Sequence, residues 1–455
     1  MKNKSVDMLS CNITRGLLYL SIPIMIMNVA QSLFGLLDIA VLKAFGFESE
    51  VGAVGACGVL ITLCTSLLIG IAAGSNVVVA RHVGAGEKRK AELSITTALI
   101  FSVIGGILLL IVGAVFARDF LVLTNCHYTL LDDAALYFRI YFYGSPILML
   151  YNFAAALLRA LGDTKRPMYY LFVGCICKII LTIAFILLTG RAIESVAIAT
   201  VISNFISCIL SVFALIKNKS IVDVNFGKLR FDFNELKSIL YNGIPAGLQS
   251  AMYSFANVII TSTVNSFGPD ATTGISIANQ YDGILYQISY SPSLAVVPFI
   301  AQNMGAGNYK RVKKVLGSGI LITVAFGASL GILTAIFASD LSYLISSSPS
   351  VVSYSVQKMT LVSSTYFICG INEVMGGTLK GMGKPMAPTI ASFLFMCLLR
   401  FVWVYIVFPC NPDLTFLYLV WPIGWVLSIL TLVFAFSFAI SKYKRTELQK
   451  TEASA

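Results

Sequence analysis

Charge is scarce in this chain. Asp, Glu, Lys and Arg make up 12% of its 455 residues, about half the share of a soluble domain. Histidine is nearly absent, with two residues, and the ten cysteines form no Cys-x-x-Cys pair. The usual ligand sets for a metal are therefore lacking, and no metal site is expected. No Gly-x-x-x-x-Gly-Lys-Ser/Thr string occurs, which leaves no phosphate loop and excludes ATP as the energy source. The space is filled by 57% hydrophobic residues, and the mean hydropathy is +0.85. That composition excludes a soluble enzyme, a disordered chain and a disulfide-rich secreted domain, and fits a polytopic membrane protein. No catalytic residues are expected.

Twelve apolar stretches are long enough to cross a bilayer: 16–42, 52–80, 93–117, 134–158, 168–189, 193–216, 238–266, 274–300, 315–338, 352–379, 386–409 and 415–440. Each approaches or exceeds the roughly 20 residues that a membrane helix needs. The first is too long for a cleaved leader and lacks an Ala-x-Ala exit. With the N-terminus placed in the cytoplasm, alternate linkers on that side hold 25 of the 32 Lys and Arg. They include Arg81, Lys88, Arg89 and Lys90, then Lys310, Arg311, Lys313 and Lys314. The outer linkers hold Glu48, Glu50, Asp119, Asp132, Asp133, Glu194, Asp270, Asp340 and Asp413. This bias predicts that both termini lie in the cytoplasm. The net charge of +11 is then topological, and no nucleic acid is expected as a partner.

The two halves repeat. Ile22-Pro23 answers Ile244-Pro245 at an offset of 222, and Ala80–Arg89 answers Ala301–Lys310 at 221. Gly162 answers Gly383, and Pro167 answers Pro388, again at 221. Six spans per half is an even number, so the halves enter the membrane in the same direction, as parallel repeats. The reading is an all-α membrane protein. An N-lobe covers 1–216, a cytoplasmic linker 217–237, a C-lobe 238–441 and a tail 442–455. Gly84-Ala-Gly86 and Gly305-Ala-Gly307 read as helix-ending turns.

These motifs carry a family resemblance. The early Ile22-Pro23 with Asp38 on the same span, and the string "ARHVGAGEKRK" with its mate "AQNMGAGNYKRV", resemble the multidrug and toxic compound extrusion (MATE) family. So do "RALGDTKRP" and "LKGMGKPMAP". The resemblance covers nearly all of 12–441. It implies a twelve-helix, V-shaped exporter driven by an inward H⁺ or Na⁺ gradient without a bound cofactor, expelling mostly cationic amphipathic compounds. It also implies that an acid at the place of Asp38 binds the coupling ion, and that Pro23, with its mate Pro245, serves gating. The plain alternative for the prolines is a fixed kink.

A charge at the bilayer centre costs about 2.5–3.5 kcal/mol on insertion scales, so each intramembrane charge needs a partner or a task. The residues concerned are Asp38, Lys43, Arg139, Lys178, Asp282, Glu373 and Arg400. Asp38, Asp282 and Glu373 are the expected ion-coupling acids. The family's helix 5 Asn and Asp are replaced here by Lys178 and Thr182. That departure favours H⁺ over Na⁺ and offers Lys178 as a partner for Asp38. Glu373 faces a structural alternative, a buried pair with Arg400 on the next span. Gln31, Phe34, Tyr253, Asn257, Gln280 and Tyr286 are the expected cleft residues, since aromatics beside an acid suit a lipophilic cation. The plain alternative for any one of them is ordinary packing.

The reading is a monomeric, secondary-active multidrug efflux transporter of a bacterial cytoplasmic membrane, surrounded by lipid. It exports cationic or amphipathic small molecules by antiport with H⁺ in preference to Na⁺. The alternative is a flippase for a lipid-linked oligosaccharide of the same broad superfamily.

Overall fold

The computed structural model describes residues 5–124, 126–217 and 230–454, with backbone alone for 34–36, 48–49, 59 and 444–454. No strand occurs among the described residues. In lipid an extended segment would leave its backbone N–H and C=O groups unpaired, and a helix pairs them within itself. The first half comprises α1 (Ile13–Ala44), α2 (Glu48–Gly84), α3 (Lys88–Val115), α4 (Ala117–Leu123), α5 (Leu131–Tyr143), α6 (Ser145–Ala160), α7 (Lys165–Thr189) and α8 (Ala192–Ile216). The second comprises α9 (Phe233–Asn265), α10 (Pro269–Gly305), α11 (Tyr309–Ile336), α12 (Ala338–Tyr343), α13 (Pro349–Val362), α14 (Tyr366–Gly381), α15 (Met386–Ser392), α16 (Leu399–Val402), α17 (Leu414–Tyr418) and α18 (Val420–Ser454).

Each of the twelve apolar stretches is helical. Among the described residues nine helical spans are long and apolar enough to cross a membrane, and α5 with α6 makes a tenth, bent by 52°. The other two stretches are more polar. α9 carries Asn234, Glu235, Lys237, Asn242 and Gln249, and α13 with α14 carries Lys358, Asn372, Glu373 and Lys380. The large residues Leu108, Ile180, Leu188, Phe434 and Phe438 are exposed, as lipid-facing helix surfaces require.

The repeat extends to detail. The short helices α4 and α12 start 221 residues apart, at Ala117 and Ala338. The fourth span of each half breaks, at Gly144 and at the 3₁₀ turn Ser363–Thr365. Gly86 and Gly307 have φ of +75° and +71°, a left-handed conformation open to glycine at little cost. They close the turns after α2 and α10 that the sequence places there.

Contacts divide the chain into two compact units. The first is Met1–Val6 with Ile26–Leu248, and the second is Asp7–Met25 with Gln249–Ala455. Each unit thus takes the helices of one half, less the opening part of that half's first helix, together with the opening part of the first helix, α1 or α9, of the other. The exchanges fall two residues after Pro23 and three after Pro245. Within the first unit the exchanged part of α9 packs backbone to backbone on α2. A Cβ on Gly70 would lie 2.2 Å from the nitrogen of Gly247, and one on Gly74 would lie 2.5 Å from that of Gly243. Only hydrogen fits at that crossing.

Candidate functional site

Among its described residues the first unit holds one intramembrane ion pair. Asp38 on α1 and Lys178 on α7 meet at 2.6 Å, with 13% and 15% of their side chains exposed. The pairing offered by the sequence is therefore formed. Lys43 and Arg139 are exposed, and the side chain of Phe34 lies outside the described residues. Gln31 is exposed on α1 of the same unit.

The second unit holds a larger polar cluster inside an apolar core. Asp282 on α10 is buried, and its carboxylate takes Lys358 Nζ of α13 at 3.0 Å and the Ser363 hydroxyl at 3.0 Å. Lys358 is 2% exposed. It also donates to Asn279 Oδ1 and lies 5.4 Å from the centre of the Trp421 ring. Both carboxylate oxygens are engaged, and the ammonium has two oxygen acceptors, the kind of support a buried pair needs. Lys358 escaped the screen of the sequence for intramembrane charges. A lone Lys six residues into the stretch 352–379 was the signal that would have found it.

Glu373 on α14 is buried, and its Oε1 accepts from the Tyr253 hydroxyl of α9 at 3.3 Å. Tyr253 also stands 3.4 Å from Ser392 Oγ, which accepts from Gln249 Nε2 at 2.7 Å. The alternative pair of Glu373 with Arg400 is not formed. Arg400 is buried and donates from Nη1 to Asn257 Oδ1 of α9 at 2.6 Å, with its guanidinium 5.4 Å from the Trp421 ring centre. The reason lies in the helix. The π turn Phe393–Leu398 precedes Arg400 and takes up more residues than an α turn. Arg400 answers Lys178 at an offset of 222, one more than the 221 that relates Pro167 to Pro388 before the π turn. Both cations then reach the first helix of their own half, Lys178 to Asp38 and Arg400 to Asn257.

Of the expected cleft residues, Tyr253 and Asn257 thus join the polar cluster of the second unit. Tyr286 belongs to the same unit and stacks on Tyr290, with ring centroids 5.5 Å apart. Gln280 is exposed on α10. Pro23 and Pro245 stand inside continuous helices.

The MatE family model matches the chain twice, over 23–184 and 245–406. The chain belongs to the MatE family. It is a membrane transporter and not an enzyme, and the double match is the repeat itself. A relative from Bacillus subtilis, the probable multidrug resistance protein YoeA, is 27% identical over 84% of each chain. A relative from Shewanella oneidensis described as an FAD transporter is 26% identical, covering 86% of this chain and 87% of its own. A solved structure described as the outward-facing conformation of a multidrug resistance MATE family transporter has a TM-score of 0.88. It is 20% identical and covers 98% of this chain and 100% of its own, a likeness that shows the fold.

Proposed function

We propose that this MatE protein is a secondary-active multidrug exporter that couples inward H⁺ movement to efflux at Glu373. One observation carries the reading. Of the three intramembrane acids, Asp38 and Asp282 are each held by a lysine, whereas Glu373 forms no ion pair among the described residues and meets the neutral hydroxyl of Tyr253. A carboxyl held by a neutral donor takes up and releases a proton without breaking an ion pair. Lys380 is seven residues further along α14, about 10 Å away along the axis at 1.5 Å per residue. At Asp38 and Asp282 an incoming ion competes with the charge of Lys178 and of Lys358. No cofactor enters this mechanism, and the gradient supplies the energy. Tyr253 and Tyr286 beside one acid suit a cationic amphipathic substrate, in keeping with a relative named for multidrug resistance. Flexing of α1 and α9 near Pro23 and Pro245 would serve gating, because both helices change unit within three residues of those prolines. The proposed setting is the cytoplasmic membrane, with lobes 1–216 and 238–441, both termini inside and the chain a monomer.

The test is Glu373→Gln. An amide cannot exchange a proton, so efflux of ethidium should fall to background at wild-type expression. Wild-type efflux by this variant would remove Glu373 as the carrier. A second reading, a flippase for a lipid-linked oligosaccharide, draws on Arg400, a buried cation that forms no ion pair among the described residues. It predicts translocation of that lipid and no efflux of cationic dye.

A further inference from the structure

The repeat allows one junction to be compared with its counterpart. In the first unit the start of α9 meets the start of α3, and carboxylates fill the gap. Glu235 accepts from the Ser94 hydroxyl at 2.5 Å and stands 3.2 Å from His82 Nε2. Glu87 stands 2.8 Å from His82 Nδ1 and accepts from Lys90 Nζ at 2.9 Å. In the second unit the start of α1 meets the start of α11. At the offsets of 222 and 221, Glu235 becomes Ile13, Glu87 becomes Asn308 and Glu92 becomes Lys313. Leu93 becomes Lys314, while Lys90 is kept as Arg311. All three acids are lost and two bases, Lys313 and Lys314, are gained, against the loss of Lys88 to Tyr309.

The place vacated is a cavity. An open hollow of about 560 Å³ is lined by Ile13, Thr14, Arg311, Lys314 and Ser318, among others. Arg311 is held there by the N-terminal turn, donating from Nη2 to the carbonyls of Cys11 at 2.8 Å and Met8 at 3.4 Å. Its Nε is buried with no partner. Lys314 is exposed. Neither cation forms an ion pair among the described residues. Asp7 is the acid on the same turn, and its carboxylate is engaged by the backbone N–H of Leu9 and Ser10 and by the Ser10 hydroxyl, at 3.0, 3.3 and 2.5 Å. One held cation, Arg311, and one exposed cation, Lys314, thus line a cavity that has no carboxylate in its lining.

We infer that this cavity binds a phosphate group, carried by an anionic phospholipid headgroup or free as inorganic phosphate. The Lys/Arg bias puts this end of the unit at the cytoplasmic surface, where basic hollows between helices take anionic headgroups. The carboxylate that the first unit builds in as Glu235 is replaced here by an anion taken from outside the chain. The inference concerns binding alone and stands apart from the export reading.

The test uses the full chain in detergent, with phosphatidylglycerol added in one arm and inorganic phosphate in the other, read by native mass spectrometry. Lys314→Gln removes one cation. Ile13→Glu restores the repeat's own carboxylate and should close the site from within. Each should weaken binding about fivefold, as loss of one near-surface charge or its neutralisation implies, with the melting temperature unchanged. Lipid binding weakened by both variants supports the inference and assigns the source as lipid. Phosphate binding alone, weakened in the same way, supports it and assigns a free anion. Binding of either probe that is unchanged in both variants, or no binding to the wild type, overturns it.

Discussion

The pair of Asp38 with Lys178 gives the most quantitative test of the polar core. At 2.6 Å and an effective dielectric of ~20, the two charges attract by about 6 kcal/mol before desolvation is counted. Because only 13% and 15% of the side chains are exposed, little of this is screened by water. Asp38→Asn strands Lys178, and Lys178→Met strands Asp38. Each should cost about 3–5 kcal/mol, the usual penalty for an uncompensated buried charge. The double variant strands nothing and should lie within about 1–2 kcal/mol of the wild type, since well-packed neutral replacements of a buried pair are often tolerated. The coupling energy is then at least about 4 kcal/mol, beyond the additivity error of independent sites. Unfolding of the four proteins by SDS in mixed micelles measures it. Additive losses would show that the two side chains do not interact and would refute the reasoning. The same double variant should retain efflux, because Glu373 is intact. A stable double variant with no efflux would make Asp38 an ion carrier.

Lys358→Met should destabilise the protein by about 3–5 kcal/mol by leaving Asp282 buried without its cation, and adding Asp282→Asn should recover most of the loss, measured by the same unfolding assay. Gly74→Val should abolish folded protein on size-exclusion chromatography, because the helix crossing at Gly243 has no room for a side chain; a monodisperse variant would contradict the backbone contact. A cysteine at Phe231, in a background without native cysteines, should react with an impermeant maleimide only from the cytoplasmic side, and labelling from outside would reverse the topology. Tyr253→Phe should preserve folding yet shift the pH profile of efflux, since it removes the hydroxyl that Glu373 accepts from; an unchanged profile would separate Tyr253 from the coupling site.

Length and polarity made the twelve stretches legible, and the repeat was visible because turns such as those at Gly86 and Gly307 need the same residue in both halves. Pairings were harder to see. Counting along a helix gives depth but not the direction in which a side chain points, so Lys178 was offered as a partner for Asp38 only because it stands where the family carries a helix 5 amide. Arg400 was offered as the alternative partner of Glu373 because it lies on the next span, and the π turn before it leaves no composition signal. Lys358 was hidden among the polar residues of α13. The exchange of α1 and α9 between units after Met25 and Leu248 has no sequence mark beyond the prolines before it, since the helical pattern runs on unbroken.

The central claim is that an H⁺ gradient drives export through Glu373. It is tested most directly in proteoliposomes of one orientation, by following ethidium movement under separately imposed H⁺ and Na⁺ gradients, for the wild type and for Glu373→Gln. The account predicts that a pH gradient alone drives transport by the wild type, that a Na⁺ gradient alone does not, and that Glu373→Gln responds to neither. Transport driven by Na⁺ at zero pH gradient, or pH-driven transport by Glu373→Gln at the wild-type rate, would contradict it.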